Sequence, residues 1–336
     1  MQIKAGVYAS LLRQELGARN RIWARGHAHV ESYGNPPVIV YAPEDGRHGN
    51  FFDGAYQAIG ARPEWMRRFD KIHAQGRALP KAETGRRWRE LDSSMSSDAL
   101  LMNIFCAPGV LESQSVLGAL GIDAQESAIF GWKARVPLAS GRFDRTEVDL
   151  RLGSLLIEAK LTEGDFQTRE AKIVEGYRDF DAVFDRDLLP RVELVTARRR
   201  EPTESPEDYS QEFESFVDAA TAESGILPVT QAPLAPPPTS AIPAYASYQL
   251  IRNVLAAQAE GCSFCVIHDA RRPDLRESWF QVMAAVKSAE LRVRLAVLTW
   301  QELAALLPVP LQDFLDAKYG IVAPGCSASL ITEAAE

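Results

Sequence analysis

The stretch from 145 to 163 constrains the fold more than any other part of this 336-residue chain. Apolar and polar residues alternate over 147–152, Gly153 and Ser154 interrupt the pattern, and the alternation resumes over 155–161. A period of two is typical of a β-strand with one buried face. Two such strands, separated by two residues that begin with glycine, predict a β-hairpin.

The turn fixes which residues of this hairpin stand opposite one another. The predicted facing pairs are Leu152 with Leu155, Leu150 with Ile157, Asp149 with Glu158, and Glu147 with Lys160. One face is then apolar, and the other carries three carboxylates and an amine. Opposed residues have Cβ atoms only about 4.5 to 5.5 Å apart, and like charges so placed destabilise a sheet. The predicted pairing of two acids therefore needs an explanation.

A divalent cation between Asp149 and Glu158 would explain why they are neighbours, since Mg²⁺ takes oxygen ligands and often uses one or two carboxylates with phosphate oxygens. Lys160 lies two residues after Glu158 on the same face, where it would polarise an attacking water or stabilise charge on a phosphate. The alternative is an exposed hairpin face with a Glu147–Lys160 ion pair and two solvated acids. Spacing alone leaves both interpretations open.

The rest of the chain alternates between predicted helices and strands. Helices are predicted over 7–16, 93–107, 111–120, 169–184, 245–259, 275–289 and 301–307, and strands over 127–138, 191–197, 263–268 and 293–298. Strands separated by helices favour a mixed or parallel sheet covered by helices. The predicted fold class is therefore α/β, with a mixed β-sheet flanked by helices and an irregular N-terminal extension.

Composition divides the chain into predicted regions. Residues 1–90 form an N-terminal extension with a basic segment, 91–310 form the core, and 311–336 form a C-terminal tail. The core is interrupted by an insertion at 200–243, which is acidic without Lys or Arg over 201–223 and rich in proline over 228–243. Such a composition is typical of a surface insertion or linker.

The formal net charge is -8, so the molecule as a whole does not attract phosphate backbones, and nucleic-acid binding requires a local basic surface. The segment 61–90 holds nine Lys and Arg residues interleaved with aromatic residues, the mixture expected of such a surface. Its candidate nucleic-acid contacts are Arg86, Arg87 and Arg89. The alternative is a solvated helix face.

Other chemistries have less support. Four cysteines and an N-terminus without an apolar run predict a cytoplasmic protein, and no apolar stretch is long enough for a membrane helix. Cys262 and Cys265 have metal-ligand spacing, and His27 with His29 could complete a zinc site. A strand, however, places those two thiols on opposite faces. Phosphate-loop, dinucleotide-binding and nucleophile-elbow motifs are absent from the sequence.

Asp149, Glu158 and Lys160 resemble the D and E-x-K elements of the PD-(D/E)XK nuclease superfamily, whose shared core runs helix, three-stranded meander, helix, strand. The predicted elements follow a similar order over about 93–298, although Val148 stands where that motif has proline. The resemblance implies a restriction-endonuclease-like core.

The resemblance also implies site roles. Asp149, Glu158 and the main-chain carbonyl of Ala159 would bind Mg²⁺ or Mn²⁺, and Lys160 would orient the nucleophilic water. Superfamily members often add an acid from an upstream helix or strand; the candidates are Asp98, Glu112, Glu126 and Glu147. Some place a glutamine on a nearby helix, which points to Gln249 and, beside it, Arg252, although an ordinary wet helix face is the alternative. Glu163, just past the E-x-K strand, is a further possible group near the site.

The implied activity is metal-dependent hydrolysis of phosphodiester bonds in DNA, with endonuclease action favoured by the likeness to restriction endonucleases. The alternative is a catalytically inactive nucleic-acid-binding or scaffolding protein of the same fold. The sequence does not distinguish DNA from RNA, and it indicates no oligomeric state.

Overall fold

The computed structural model describes residues 6–73, 78–82, 85–123, 127–196 and 240–325. The helices are α1 (Val7–Trp23), α2 (Asp53–Gly60), α3 (Pro63–Met66), α4 (Ser97–Phe105), α5 (Gln114–Leu120), α6 (Ala171–Val174), α7 (Phe180–Val183), α8 (Tyr248–Glu260), α9 (Pro273–Ala284), α10 (Ala289–Arg292), α11 (Trp300–Ala304) and α12 (Val309–Tyr319). Short 3-10 segments are Ala24–Gly26, Arg67–Asp70 and Glu90–Asp92. None of the described helices has the length and apolar character needed to cross a bilayer.

The strands are β1 (His29–Glu31), β2 (Ile39–Tyr41), β3 (Pro43–Glu44), β4 (Arg47–His48), β5 (Ala128–Lys133), β6 (Val136–Pro137), β7 (Phe143–Asp144), β8 (Glu147–Leu152), β9 (Leu155–Ala159), β10 (Arg169–Glu170), β11 (Arg191–Thr196), β12 (Ser240–Tyr245), β13 (Ser263–His268) and β14 (Leu295–Thr299). The main sheet has the order β14-β13-β9-β8-β5. Its β14, β13 and β9 are parallel, whereas β9, β8 and β5 form an antiparallel meander. The predicted mixed sheet is confirmed.

Helices cover both faces of this sheet. Ile157 and Ile267 belong to an apolar cluster shared with α1, α4 and α12, whereas Leu156 and Val266 belong to a second cluster shared with α8 and α9. Strands that include parallel pairs are typically buried on both faces in this way. The consequence for β9 is that all five of its residues are buried.

The two ends of the described chain pack together. Leu12 and Leu16 of α1 share the first cluster with Leu311 and Leu315 of α12, and both helices lie over the main sheet. The segment expected to be a C-terminal tail is thus helical as far as Tyr319 and part of this core. The division into an extension, a core and a tail remains a prediction.

Two predicted elements are wrong. The helix expected over 169–184 is replaced by β10, α6 and α7, because the backbone of Arg169 and Glu170 pairs with β12 and that of Tyr177 bridges to Leu138. The insertion expected to reach 243 ends earlier, since β12 begins at Ser240 and pairs with β11 and β10 in a three-stranded antiparallel sheet. Residues 197–239 lie outside the described part of the chain.

The remaining predicted elements are confirmed with shifts of a few residues at their ends, except that the helix expected over 7–16 continues to Trp23. The strand expected over 127–138 is divided into β5 and β6, and the helix expected over 275–289 is divided into α9 and α10. Helix α4 begins only after Ser96, whose hydroxyl accepts the Ala99 N–H and caps it. This cap matters for the site, because Asp98 lies in the first turn of α4.

Candidate active site

The β8–β9 hairpin has the predicted register. Its ladder pairs Leu152 with Leu155 and Leu150 with Ile157, across a turn in which Gly153 adopts a φ of 53°. Glycine suits this turn because a positive φ is costly for residues with a Cβ. The local pattern of the sequence was sufficient to place the two strands correctly.

The faces of the hairpin differ from the prediction. Val148 packs in the second apolar cluster although Leu150 and Leu152 pack in the first, so the alternation breaks at Asp149. Gly131 stands opposite Asp149 in the β5–β8 register and has a φ of 66°. A left-handed residue in a strand reorients the side chains that follow. The break therefore sets Asp149 apart from the regular pleat.

The alternative of an exposed hairpin with a Glu147–Lys160 ion pair is wrong. Glu147 pairs instead with Arg68 at 2.8 Å and lies opposite Lys133 of β5. Glu158 and Lys160 are only 3% and 5% exposed, because β13 and α8 cover this end of β9. The predicted contact between Glu147 and Lys160 is therefore absent, and the acid and the amine of the E-x-K element are core residues.

Lys160 and Glu158 form a buried ion pair. The Lys160 Nζ donates to Glu158 Oε1 at 2.8 Å, and the Asn253 Nδ2 donates to Glu158 Oε2 at 2.9 Å. Burial by itself would lower the pKa of Lys160, but the carboxylates of Glu158, Glu163 and Asp149 outweigh it and raise that pKa above its usual value. Lys160 is therefore a charged ammonium group at neutral pH.

Asp149 has less compensation. Its Oδ2 accepts the main-chain N–H of Ala159 at 2.8 Å, and its other carboxylate oxygen takes no hydrogen bond from the described residues. Burial raises the pKa of Asp149 well above its usual value, and the nearby carboxylates of Glu158 and Asp98 raise it further. Lys160 and the Ala159 N–H act in the opposite direction. The structure thus brings Asp149, Glu158 and Lys160 into one electrostatic cluster, in which two carboxylates share a single ammonium group.

Helix α8 supplies the residues behind Glu158. Arg252 donates to Asn253 Oδ1 at 2.8 Å and to the Thr146 carbonyl, and its Nε lies 3.5 Å from Asp144 Oδ2. This network ties α8 to the residues that lead into β8. It holds the Asn253 amide toward Glu158, so a helix packed on the sheet positions the acid of the E-x-K element.

Asn253 is the α8 residue that contacts the cluster, and the sequence did not single it out as a site residue. Gln249, the residue chosen on this helix, lies one turn earlier, and its buried Oε1 has no hydrogen-bond partner among the described residues. Both residues lie on the polar side of the same predicted helix. The polar side of the helix could have indicated that one of these residues faces the site. The helical pattern does not show which turn of the helix contacts β9.

The upstream acids have different positions. Asp98 of α4 accepts from Arg68 Nη2 at 2.7 Å, and Glu147 accepts from Arg68 Nη1, so one guanidinium joins two of the candidate acids. Glu112 is exposed on the turn before α5, and Glu126 lies outside the described residues. Glu163 accepts from the Ser97 hydroxyl and from the Leu161 N–H.

The predicted nucleic-acid contacts are only partly available to a ligand. Arg86 binds both carboxylate oxygens of the buried Asp92 at 2.6 Å, and Arg89 bonds Asp70 at 2.9 Å and the Phe69 carbonyl. Arg87 is the one of these three arginines that is exposed. The role of all three in binding stays a prediction, and their placement makes Arg87 the strongest of them.

A zinc site is not formed by the described residues. Cys265 packs in the first apolar cluster and Cys262 in the second, as expected for thiols on opposite faces, and His27 stacks on Trp23. Within the described ranges, no group of three or more His, Cys, Asp or Glu side chains is placed to hold a metal ion. An ion at Asp149 and Glu158 would therefore need main-chain, water or substrate oxygens as further ligands.

A cavity of about 870 Å³ lies apart from the β8–β9 hairpin, between the end of α1, the β3–β4 hairpin and α12. Its lining includes the aromatic residues Trp23, His27, Phe52 and Phe314. The same lining holds four acids and an arginine, namely Glu44, Asp45, Asp53, Asp313 and Arg47. An acidic rim repels phosphate groups. We therefore place the candidate active site at the hairpin.

Comparison with known proteins identifies the family. The model of a family described as restriction endonuclease associating with ARP matches residues 18–320, and the chain belongs to this family. The five-stranded mixed sheet and its flanking helices form a restriction-endonuclease-like fold, as the sequence predicted. The match includes the N-terminal segment that carries Arg68. Neither the curated proteins nor the solved structures include one that matches this chain.

Proposed function

We propose that this member of a restriction endonuclease family is a metal-dependent nuclease of the PD-(D/E)XK type that hydrolyses phosphodiester bonds in DNA by endonucleolytic cleavage. One observation carries the proposal: two carboxylates, Asp149 and Glu158, meet a buried ammonium group, Lys160, where β8 and β9 lie beside the helix that supplies Asn253. Family membership supports the nuclease class. The geometry supports the choice of residues.

The residues fit Mg²⁺ or Mn²⁺. Hard cations prefer oxygen ligands, and Mg²⁺ commonly takes one or two protein carboxylates together with phosphate oxygens. Asp149 keeps one carboxylate oxygen without a hydrogen bond from the described residues, and Glu158 lies beside it. Asp149, Glu158 and the Ala159 carbonyl would hold the ion. When bound, the ion would act as a Lewis acid on the phosphodiester group.

Lys160 supplies a fixed positive charge. Its raised pKa keeps the amine protonated, so Lys160 is a donor that orients the attacking water and stabilises negative charge on the phosphate. A role as general base would require a neutral amine. Its pairing with Glu158 fixes the ammonium group in place before substrate arrives.

Asn253 acts through Glu158. Its amide occupies one carboxylate oxygen and Lys160 occupies the other, so the orientation of Glu158 is set from two sides. Partners of this kind around a ligating carboxylate tune the affinity of a metal site. Asn253 is therefore a positioning residue in this proposal.

The test is cleavage of supercoiled plasmid DNA in the presence of Mg²⁺, with Asp149→Asn beside the wild type. We expect the substitution to reduce the cleavage rate by a factor on the order of 1,000, because the ion loses a ligand and the site loses its electrostatic stabilisation. Glu277→Gln is the matched control, since Glu277 is an exposed acid on α9. Equal cleavage by all three proteins would refute the assigned site, and DNA binding without cleavage by the wild type would favour the inactive alternative.

A further inference from the structure

Arg68 comes from the N-terminal part of the chain and is built into the candidate site. Its side chain is 9% exposed, and its two terminal nitrogens donate to Asp98 at 2.7 Å and to Glu147 at 2.8 Å. Asp98 lies on α4 and Glu147 on β8, so one guanidinium crosslinks a helix to the strand that carries Asp149. Ion pairs between fully exposed side chains contribute little to stability. Arg68 is nearly buried.

The sheet makes room for this arginine at Gly131. A Cβ at that position would lie 2.6 Å from Arg68 Nη1, too close for both to stay in place, and 3.3 Å from Glu147 Oε2, which is a tight contact. Gly131 stands opposite Asp149 in the β5–β8 register and has the positive φ that favours glycine. The absence of a side chain at Gly131 thus lets the guanidinium lie beside the strand position that carries Asp149.

Four of the acids at this end of the sheet fall into two pairs. Asp98 and Glu147 share Arg68. The exposed Lys133 also lies near Glu147, with its Nζ 3.9 Å from Glu147 Oε1. Asp149 and Glu158 share Lys160, which bonds only Glu158. A two-metal site places one cation at the attacking oxygen and one at the leaving oxygen of a reacting phosphate. Here one of the two acid pairs already has a side-chain cation that bonds both carboxylates.

We propose that Arg68 occupies the place of a second divalent cation, so that the site binds one metal ion, at Asp149 and Glu158. The inference rests on the proposed function and specifies its metal stoichiometry. A guanidinium is a permanent cation with planar donors that match carboxylates, so it can hold Asp98 and Glu147 where a metal ion would otherwise be needed. Arg68 is in this sense a positioning residue for the two acids.

The experiment counts Mn²⁺ ions bound per chain, using the electron paramagnetic resonance signal of free Mn²⁺ during titration of the full-length protein. The wild type is expected to bind one ion. Arg68→Gln removes the charge and is expected to bind two, whereas Arg68→Lys keeps the charge and is expected to bind one. Arg67→Gln is the matched control, because Arg67 is the exposed neighbour in sequence, and it is expected to bind one.

The position of the second ion is tested with the double variant Arg68→Gln/Asp98→Asn, which is expected to return to one ion. Two ions on the wild type, or one ion on Arg68→Gln with a folded circular dichroism spectrum, would overturn the inference. A wild-type count of two overturns the inference even where Arg68→Gln fails to fold. Absence of any bound ion on the wild type would overturn the proposed metal-dependent function as well, so the two failures are distinguishable.

Discussion

Two pairs of acids lie close together at one end of the main sheet, and they are neutralised differently. Asp98 and Glu147 are joined by Arg68, which donates to both. Asp149 and Glu158 have Lys160, which donates to Glu158 and leaves Asp149 with a main-chain N–H. Each pair has one bonded cation, but the guanidinium of the first pair bonds both acids, whereas the ammonium group of the second bonds only Glu158 and leaves Asp149 without a bonded cation. The difference indicates where an added cation would be stabilised.

The largest expected effect on stability comes from removing Lys160, the cation of the second pair. Lys160→Met leaves Glu158 buried with only the Asn253 amide as partner. Removing one member of a buried ion pair typically costs about 3 to 5 kcal/mol. We expect a loss of this size in the free energy of unfolding, measured by urea denaturation without metal. Lys172→Met, on the exposed side of α6, is the control, and an equal loss in both variants would contradict the account.

The next effect concerns the residue that positions Glu158. Asn253→Ala removes the amide from Glu158 Oε2, and we expect Mn²⁺ affinity to fall by about 10-fold to 100-fold, the range found for partners of metal ligands. The affinity is measured by isothermal titration calorimetry. Gln249→Ala, one turn earlier on α8, is expected to retain the wild-type affinity. The reverse order of effects would show that Gln249, and not Asn253, serves the site.

A smaller effect is the dependence of metal binding on pH. The pKa of Asp149 is raised in the metal-free protein, so at lower pH its carboxyl group is protonated and each bound ion must displace that proton. Below that pKa, Mn²⁺ affinity is expected to rise by up to about tenfold per pH unit, and above it the affinity levels off. Titrations between about pH 5 and about pH 8 test this. A constant affinity throughout would contradict the assigned charge deficit at Asp149.

The features that the sequence predicted well are local. The hairpin register follows from alternation and a two-residue turn, and the strand Ser263–His268 matches its predicted bounds because a short apolar run marks it. These patterns are read from neighbouring residues, so tertiary packing is not needed to recognise them. The fold class and the E-x-K element were predictable for this reason.

The features that were missed depend on tertiary packing. Arg68 and Glu147 are separated by 79 residues, and Asn253 and Glu158 by 95, so no local pattern links them. Arg68 lies in the basic segment, but its sequence gave no reason to prefer it over Arg86. The break in alternation at Asp149 did have a signal, since Gly131 is an isolated glycine within a predicted strand, which suggests an irregularity there.

The most direct test of the difference between the two acid pairs is anomalous diffraction from crystals soaked in Mn²⁺. We predict one anomalous peak, about 2.1 Å from carboxylate oxygens of both Asp149 and Glu158. Arg68 should still bond Asp98 and Glu147. A peak between Asp98 and Glu147, or Asp149 and Glu158 without any ion at saturating Mn²⁺, would contradict this prediction.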